Sequence, residues 1–194
     1  MFAARLLAVA LLAALAAPLG SAQTPRVSAS APRVLFAVTD SVKTDDGRRA
    51  RVTRTVTYDP VAGTYTDQTV DAAGETLRRS VRAVSVAGPT PAEREAARAL
   101  VAAHPDVAPL IAAARGPVRV EGGFPLIREA GHPCGPGGRC VTMDVFETSP
   151  DGPRRRLRYA VVDLRALRVL EADADPEGDS NLAHPAARRQ SRLR

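Results

Sequence analysis

Between Val34 and Val86 the chain repeats one short unit: a run rich in Val and Thr, then a turn signal carrying Asp and Gly. The runs Val34 to Val42, Arg49 to Tyr58, Thr64 to Val70 and Thr76 to Val86 are separated by Asp45-Asp46-Gly47, Asp59-Pro60-Val61-Ala62-Gly63 and Asp71-Ala72-Ala73-Gly74. Glycine reaches positive φ without a Cβ clash and aspartate bonds its own backbone, so these segments are turns. Strands joined this closely pair antiparallel, and a β-meander is predicted. Val34, Phe36 and Val38, like Val52, Val56 and Tyr58, recur at the period of two that a buried sheet face requires. Arg54 interrupts the second set and is assigned to an edge or a bulge.

Thr90-Pro91-Ala92-Glu93 is the sharpest local signal. It places Thr90 at an N-cap, Pro91 at the first helical position, and Glu93 where its side chain reaches back to close a capping box. Ala92, Ala96, Ala99, Leu100 and Ala103 form the predicted apolar stripe, with Glu93, Arg94, Glu95 and Arg98 on the rest of the surface. His104-Pro105 ends this helix. Val107, Leu110, Ile111 and Ala114 predict a second, shorter one with Asp106 as its cap and Gly116-Pro117 as its stop.

Strands resume at Val118 to Glu121 and Phe124 to Glu129. A Pro/Gly loop, His132 to Arg139, precedes a hairpin in which Val141, Met143 and Val145 alternate, as do Leu157, Tyr159 and Val161. A last strand runs from Leu167 to Ala172. Strands, a helical pair and further strands predict an α+β fold: an antiparallel meander flanking a central helical pair, with both helices packed on one face of the sheet.

Met1 to Ala22 has the order of a secretory signal peptide: Arg5, an apolar run from Leu6 to Ala17, then Gly20-Ser21-Ala22 as the cleavage site. The expected mature chain starts near Gln23, outside the cytoplasm, secreted or periplasmic, with no membrane span. A flexible leader (23–32), one domain (33–172, divisible into halves 33–88 and 89–172) and a disordered tail (173–194) complete the organisation. Formal net charge is +6, Lys43 is the only lysine, and Trp is absent. A modest arginine excess without stacking aromatics gives no specific nucleic-acid partner. It leaves room for an anionic or protein partner outside the cytoplasm.

Cys134 and Cys140 are the only cysteines, and export makes a disulfide the expectation. A soft-metal site from His132, Cys134, Cys140 and Met143, whose donors suit copper(I), is the alternative. His104 falls at a helix end and His184 in the tail. No nucleophile, base or phosphate-loop pattern accompanies them, so no catalytic residue and no cofactor is assigned. Arg154, Arg156 and Arg158 alternate with Leu157 and Tyr159, which predicts a shared solvent face, and they are the candidate anion-binding residues.

From Thr90 to about Ala172 the chain resembles the small N-terminal domains of copper amine oxidases and, more loosely, PepSY domains. The Thr90-Pro91-Ala92-Glu93 helix start and the hairpin Tyr159-Ala160-Val161-Val162-Asp163-Leu164 carry the likeness. It implies a cystatin-like helix-on-sheet module in a binding or accessory role. The oxidase's copper-binding histidines and cofactor-forming tyrosine have no counterpart here. The functional expectation is an exported, non-catalytic binding or accessory protein; a copper-binding protein and an extracytoplasmic enzyme are the alternatives.

Overall fold

A computed structural model describes residues 27–44, 46–149 and 152–175. The signal segment, His184 and nearly all of the assigned tail lie outside the described residues.

The observed fold corrects the α+β expectation. Strand accounts for 47% of the structure and helix for 12%, arranged as two four-stranded antiparallel sheets. The first sheet is β1 (Arg33–Lys43), β2 (Arg49–Asp59), β3 (Thr64–Val70) and β4 (Thr76–Arg82), paired in chain order. After α1 (Pro91–Ala102) and α2 (Ala108–Ala113) come β5 (Val118–Leu126), β6 (Cys140–Thr148), β7 (Arg154–Asp163) and β8 (Arg168–Glu171), again in chain order. No strand of one meander pairs with a strand of the other, so the helical pair does not lie on a common sheet. The principal core joins Ala97 and Val101 of α1 and Val107 to Val141, Met143, Val145, Ala160 and Val162 of the second sheet.

Local signals explain most element ends. The Thr90 side chain accepts the Glu93 amide at 3.1 Å, and Glu93 Oε2 accepts the Thr90 amide at 2.9 Å. The buried face of α1, however, is Glu93, Ala97 and Val101, an i, i+4, i+8 row offset from the predicted alanine stripe. Ala99 and Ala103 are exposed instead. Val107, not Asp106, stands at the N-cap of α2 and makes no side-chain cap bond. The runs at Val118 and Phe124 are one strand, β5, carried across a register shift between Gly122 and Phe124. Gly122 has φ +121°, and a Cβ there would sit 2.7 Å from the Thr142 carbonyl oxygen, so only glycine lets β5 cross β6 this closely.

Both faces of the second sheet are covered at its centre. The face away from α1 holds Leu126, Cys134, Cys140, Val161 and Ala174. Much less of the first sheet is buried. Val52, Val56, Tyr58 and Tyr65 are enclosed, while Val34, Phe36 and Val38 of β1 remain 56%, 38% and 43% exposed. A register shift between Val34 and Phe36 sets them opposite Thr57 and Val56, so Phe36 and Val38 share one face, Val34 turns to the other, and none of the three is buried. Arg54 lies mid-strand in β2, a central strand, and is neither at a sheet edge nor in a bulge.

Candidate functional site

The disulfide loop is where the two sheets meet. Cys134 and Cys140 are bonded, with their Cα atoms 5.3 Å apart. The loop between them receives hydrogen bonds from the first sheet: Tyr58 Oη donates to the Gly137 carbonyl at 3.1 Å and Tyr65 Oη to that of Gly138 at 2.7 Å. Gly137 in turn donates its amide to the Ala83 carbonyl at 2.6 Å. This bond explains why β4 stops at Arg82 although the Val-rich run continues to Val86. From Ala83 onward the backbone is held by the loop and by Arg139, not by a neighbouring strand.

Arg139, at the end of that loop, reaches Glu93 in a two-pronged contact, Nε to Oε1 at 3.1 Å and Nη2 to Oε2 at 2.8 Å. Two further N–H groups donate to the Ala87 and Gly88 carbonyls at 2.8 and 2.9 Å. Arg33 adds a bond from Nη1 to Glu93 Oε1 at 3.0 Å and two to the Leu164 carbonyl. Glu93 and Arg139 are essentially sealed from solvent, with side-chain exposures of 0% and 1%. Burial opposes ionisation of Glu93 more than any other single influence. The Arg139 bonds and charge, the Thr90 amide and Arg33 together outweigh it, and the carboxyl is held below its ordinary range. Burial likewise raises the Tyr65 hydroxyl and pushes Tyr58 up to about 12.

Both oxygens of Glu93 are engaged, and backbone carbonyls accept from both guanidinium partners, leaving the buried Arg33 Nε without a partner among the described residues. Such a cluster clamps α1, the Ala83–Gly88 connector and the loop together; it has no open position for a reacting molecule. The sequence pattern puts Glu93 on the helix surface because a capping-box glutamate is ordinarily solvated. The one local hint, an arginine at the end of a Cys-bounded Pro/Gly loop, carries no indication of its partner.

Beside the clamp lies an open groove of about 470 Å³. Phe36, Val56, Val84 and Val86 supply its apolar walls, and Arg54, Asp67 and Arg82 its charge. The β2–β3 and β3–β4 registers put Arg54, Val56, Tyr65, Asp67, Arg78 and Arg82 on one sheet face. Arg54 grips Asp67 with two bonds, Nε to Oδ1 at 2.9 Å and Nη2 to Oδ2 at 2.7 Å. The Arg54 bond, aided by the charges of Arg54, Arg82 and Arg78, holds the Asp67 carboxyl below its usual range. Neither Arg78 nor Arg82 donates a hydrogen bond to a described residue. The groove has no sequence signature because its walls come from β1, β2, β3, β4 and the connector.

The residues assigned from sequence are distributed differently. Met143 belongs to the core under α1, whereas Cys134 and Cys140 belong to the cluster on the opposite sheet face. His132 Nδ1 accepts the Cys134 amide at 3.0 Å. The four proposed soft ligands are therefore not brought together. Nor do Arg154, Arg156 and Arg158 share one face. A register shift between Val145 and Phe146 sets Arg158 opposite Val145 and Arg156 opposite Phe146, two residues that point to opposite sides. Carboxylates face all three: Glu121 at 2.7 Å from Arg154, Asp144 at 2.6 Å from Arg156, and Asp173 at 3.6 Å from Arg158. His104 keeps to the α1–α2 turn, 3.8 Å from Asp106.

No family model and no curated protein matches the sequence. Among solved structures, a copper-containing benzylamine oxidase from Hansenula polymorpha is similar over 66% of this chain and 21% of that one, at 17% identity and a TM-score of 0.47. The chain thus spans about a fifth of that enzyme's length, and the likeness is a partial one of fold that transfers no chemistry. Among the described residues, no helix is long and apolar enough to cross a membrane.

Proposed function

We propose that this is an exported, non-catalytic binding protein whose site is the groove between β1–β4 and the Ala83–Gly88 connector. The observation that carries the reading is the pairing of an open, apolar-walled groove with a rigid support. The connector that forms one wall is fastened by Arg139 through the Ala87 and Gly88 carbonyls, and Arg139 is fastened by Glu93. A wall held in this way keeps its shape whether or not a ligand is present, and such pre-organisation lowers the cost of binding. The volume falls within the range of small-molecule sites. Export rests on the leader segment and agrees with a closed disulfide, which oxidising compartments favour.

Native mass spectrometry of protein recovered from the envelope or medium tests both parts. The polypeptide should begin near Gln23 with its cysteines joined, and should carry a non-covalent small molecule. Replacing Ser85, on the groove lining, with Trp should remove that molecule while the circular dichroism spectrum is kept. Retention of the same load by Ser85→Trp would place binding elsewhere. Turnover of any compound lost on replacing a groove residue would make the protein an enzyme.

A further inference from the structure

The groove's charge pattern identifies a ligand class. We infer that it takes a free amphiphilic carboxylate, an apolar chain ending in one anionic group, with Arg82 as the headgroup contact and Phe36, Val84 and Val86 along the chain. The inference rests on the binding reading above.

The lining of the groove leaves hydrocarbon in water: Phe36, whose ring centre lies 5.7 Å from the Arg54 guanidinium, and Val86 stay 38% and 77% exposed. Across the same sheet face three guanidinium groups, Arg54, Arg78 and Arg82, surround a single carboxylate, Asp67. Asp67 satisfies Arg54, because both of its oxygens are taken in one two-pronged contact. What remains is a positive excess with free N–H donors, and Arg82 is the member that lines the groove itself. A guanidinium fork matches a carboxylate with two parallel charge-assisted bonds. Cationic ligands meet repulsion from the same excess, and neutral ones leave the donors unmatched. A highly charged polyanion gains little here, since the apolar walls give it nothing to bury.

Asp67 also acts as an internal competitor. While it holds Arg54, only Arg82 is offered to an incoming anion; neutralising it should free a second fork. The carboxylate reading therefore predicts substitutions of opposite sign on one face.

Isothermal titration with dodecanoate below its micelle concentration, with dodecanol and dodecyltrimethylammonium as comparisons, reads this directly. Dodecanoate should bind wild type more tightly than either comparison. Arg82→Gln should weaken it about tenfold, the scale of one charge-assisted bond, and Asp67→Asn should tighten it several-fold. Unchanged melting temperatures in both variants keep the readout on binding. Equal binding of dodecanol and dodecanoate, or indifference to Arg82→Gln, would overturn the carboxylate class and leave the groove reading standing. A preference for the ammonium compound would overturn it likewise. If none of the three binds, the ligand class falls; the groove reading falls only if Ser85→Trp also keeps the co-purified molecule.

Discussion

Glu93→Gln is the substitution that most directly tests the account of the clamp. It removes one charge and turns one of the two acceptor oxygens into an NH2 donor, while the remaining glutamine oxygen can still accept the Thr90 amide and close the capping box. Two guanidinium groups then lose their counter-charge. Arg139 has 1% of its side chain exposed and Arg33 11%, so neither can recover hydration without opening the junction. Breaking a buried ion pair from one side costs about 3–5 kcal/mol. The glutamine oxygen keeps the Thr90 and Arg139 Nη2 bonds but its NH2 faces the Arg139 Nε and Arg33 Nη1 donors, so the cost is at least the lower end, about 3 kcal/mol. With a urea dependence of about 2 kcal/mol per molar, the unfolding midpoint should fall by roughly 1.5 M. The pH dependence gives a second reading. Since the folded carboxyl lies below the ordinary 4.5, its contribution is complete above that value and is lost as pH falls through the depressed folded one. Wild type should therefore lose stability below that point, and Glu93→Gln should lack that part of the acid decline. A midpoint shift under about 0.5 M at neutral pH, or parallel acid declines in the two proteins, would refute the reasoning.

Two further outcomes follow from the same junction. Replacing Cys134 and Cys140 together with Ser should cost about 2 kcal/mol from chain entropy alone. The total should reach about 3–4 kcal/mol, because the loosened loop also weakens the Tyr58 and Tyr65 bonds to it; amide exchange at Gly137 and Gly138 should quicken, and unchanged exchange there would contradict the linkage. Tyr58, raised from 10.0 to about 12 by burial and then by Tyr65, stabilises the fold fully below pH 10 and loses that contribution as pH rises through the folded value. Unfolding measured at pH 9 and 11.5 should show an alkaline decline about 2 kcal/mol smaller in Tyr58→Phe than in wild type, and equal declines would remove the assignment.

Properties set within a few residues can be read along the chain. Hairpin turns at Gly47, Gly63 and Gly74, the Thr90–Glu93 capping box and the Cys134–Cys140 bridge each depend on backbone permissiveness or on partners close in sequence. Their energies are decided locally, so their signatures are local too. The alternating runs likewise mark strands, because period two is a property of the extended chain itself.

Which elements share a sheet, and which faces are covered, is set by contacts between residues far apart in sequence. The second meander could have extended the first; it stands apart because the Cys-bounded loop and the Ala83–Gly88 connector bond to each other between them. One extra residue at the Val145/Phe146 register shift is enough to separate Arg156 from Arg158, and nothing in the run Arg154 to Arg158 announces it. Glu93 makes the point most plainly. Its capping role is written four residues wide, but its burial depends on Arg33, distant in sequence by 60 positions, and on Arg139, distant by 46. Coulomb attraction and desolvation act through space rather than along the chain, so the partners that keep this carboxylate charged, and the groove wall they hold in place, exist only once the two sheets have met.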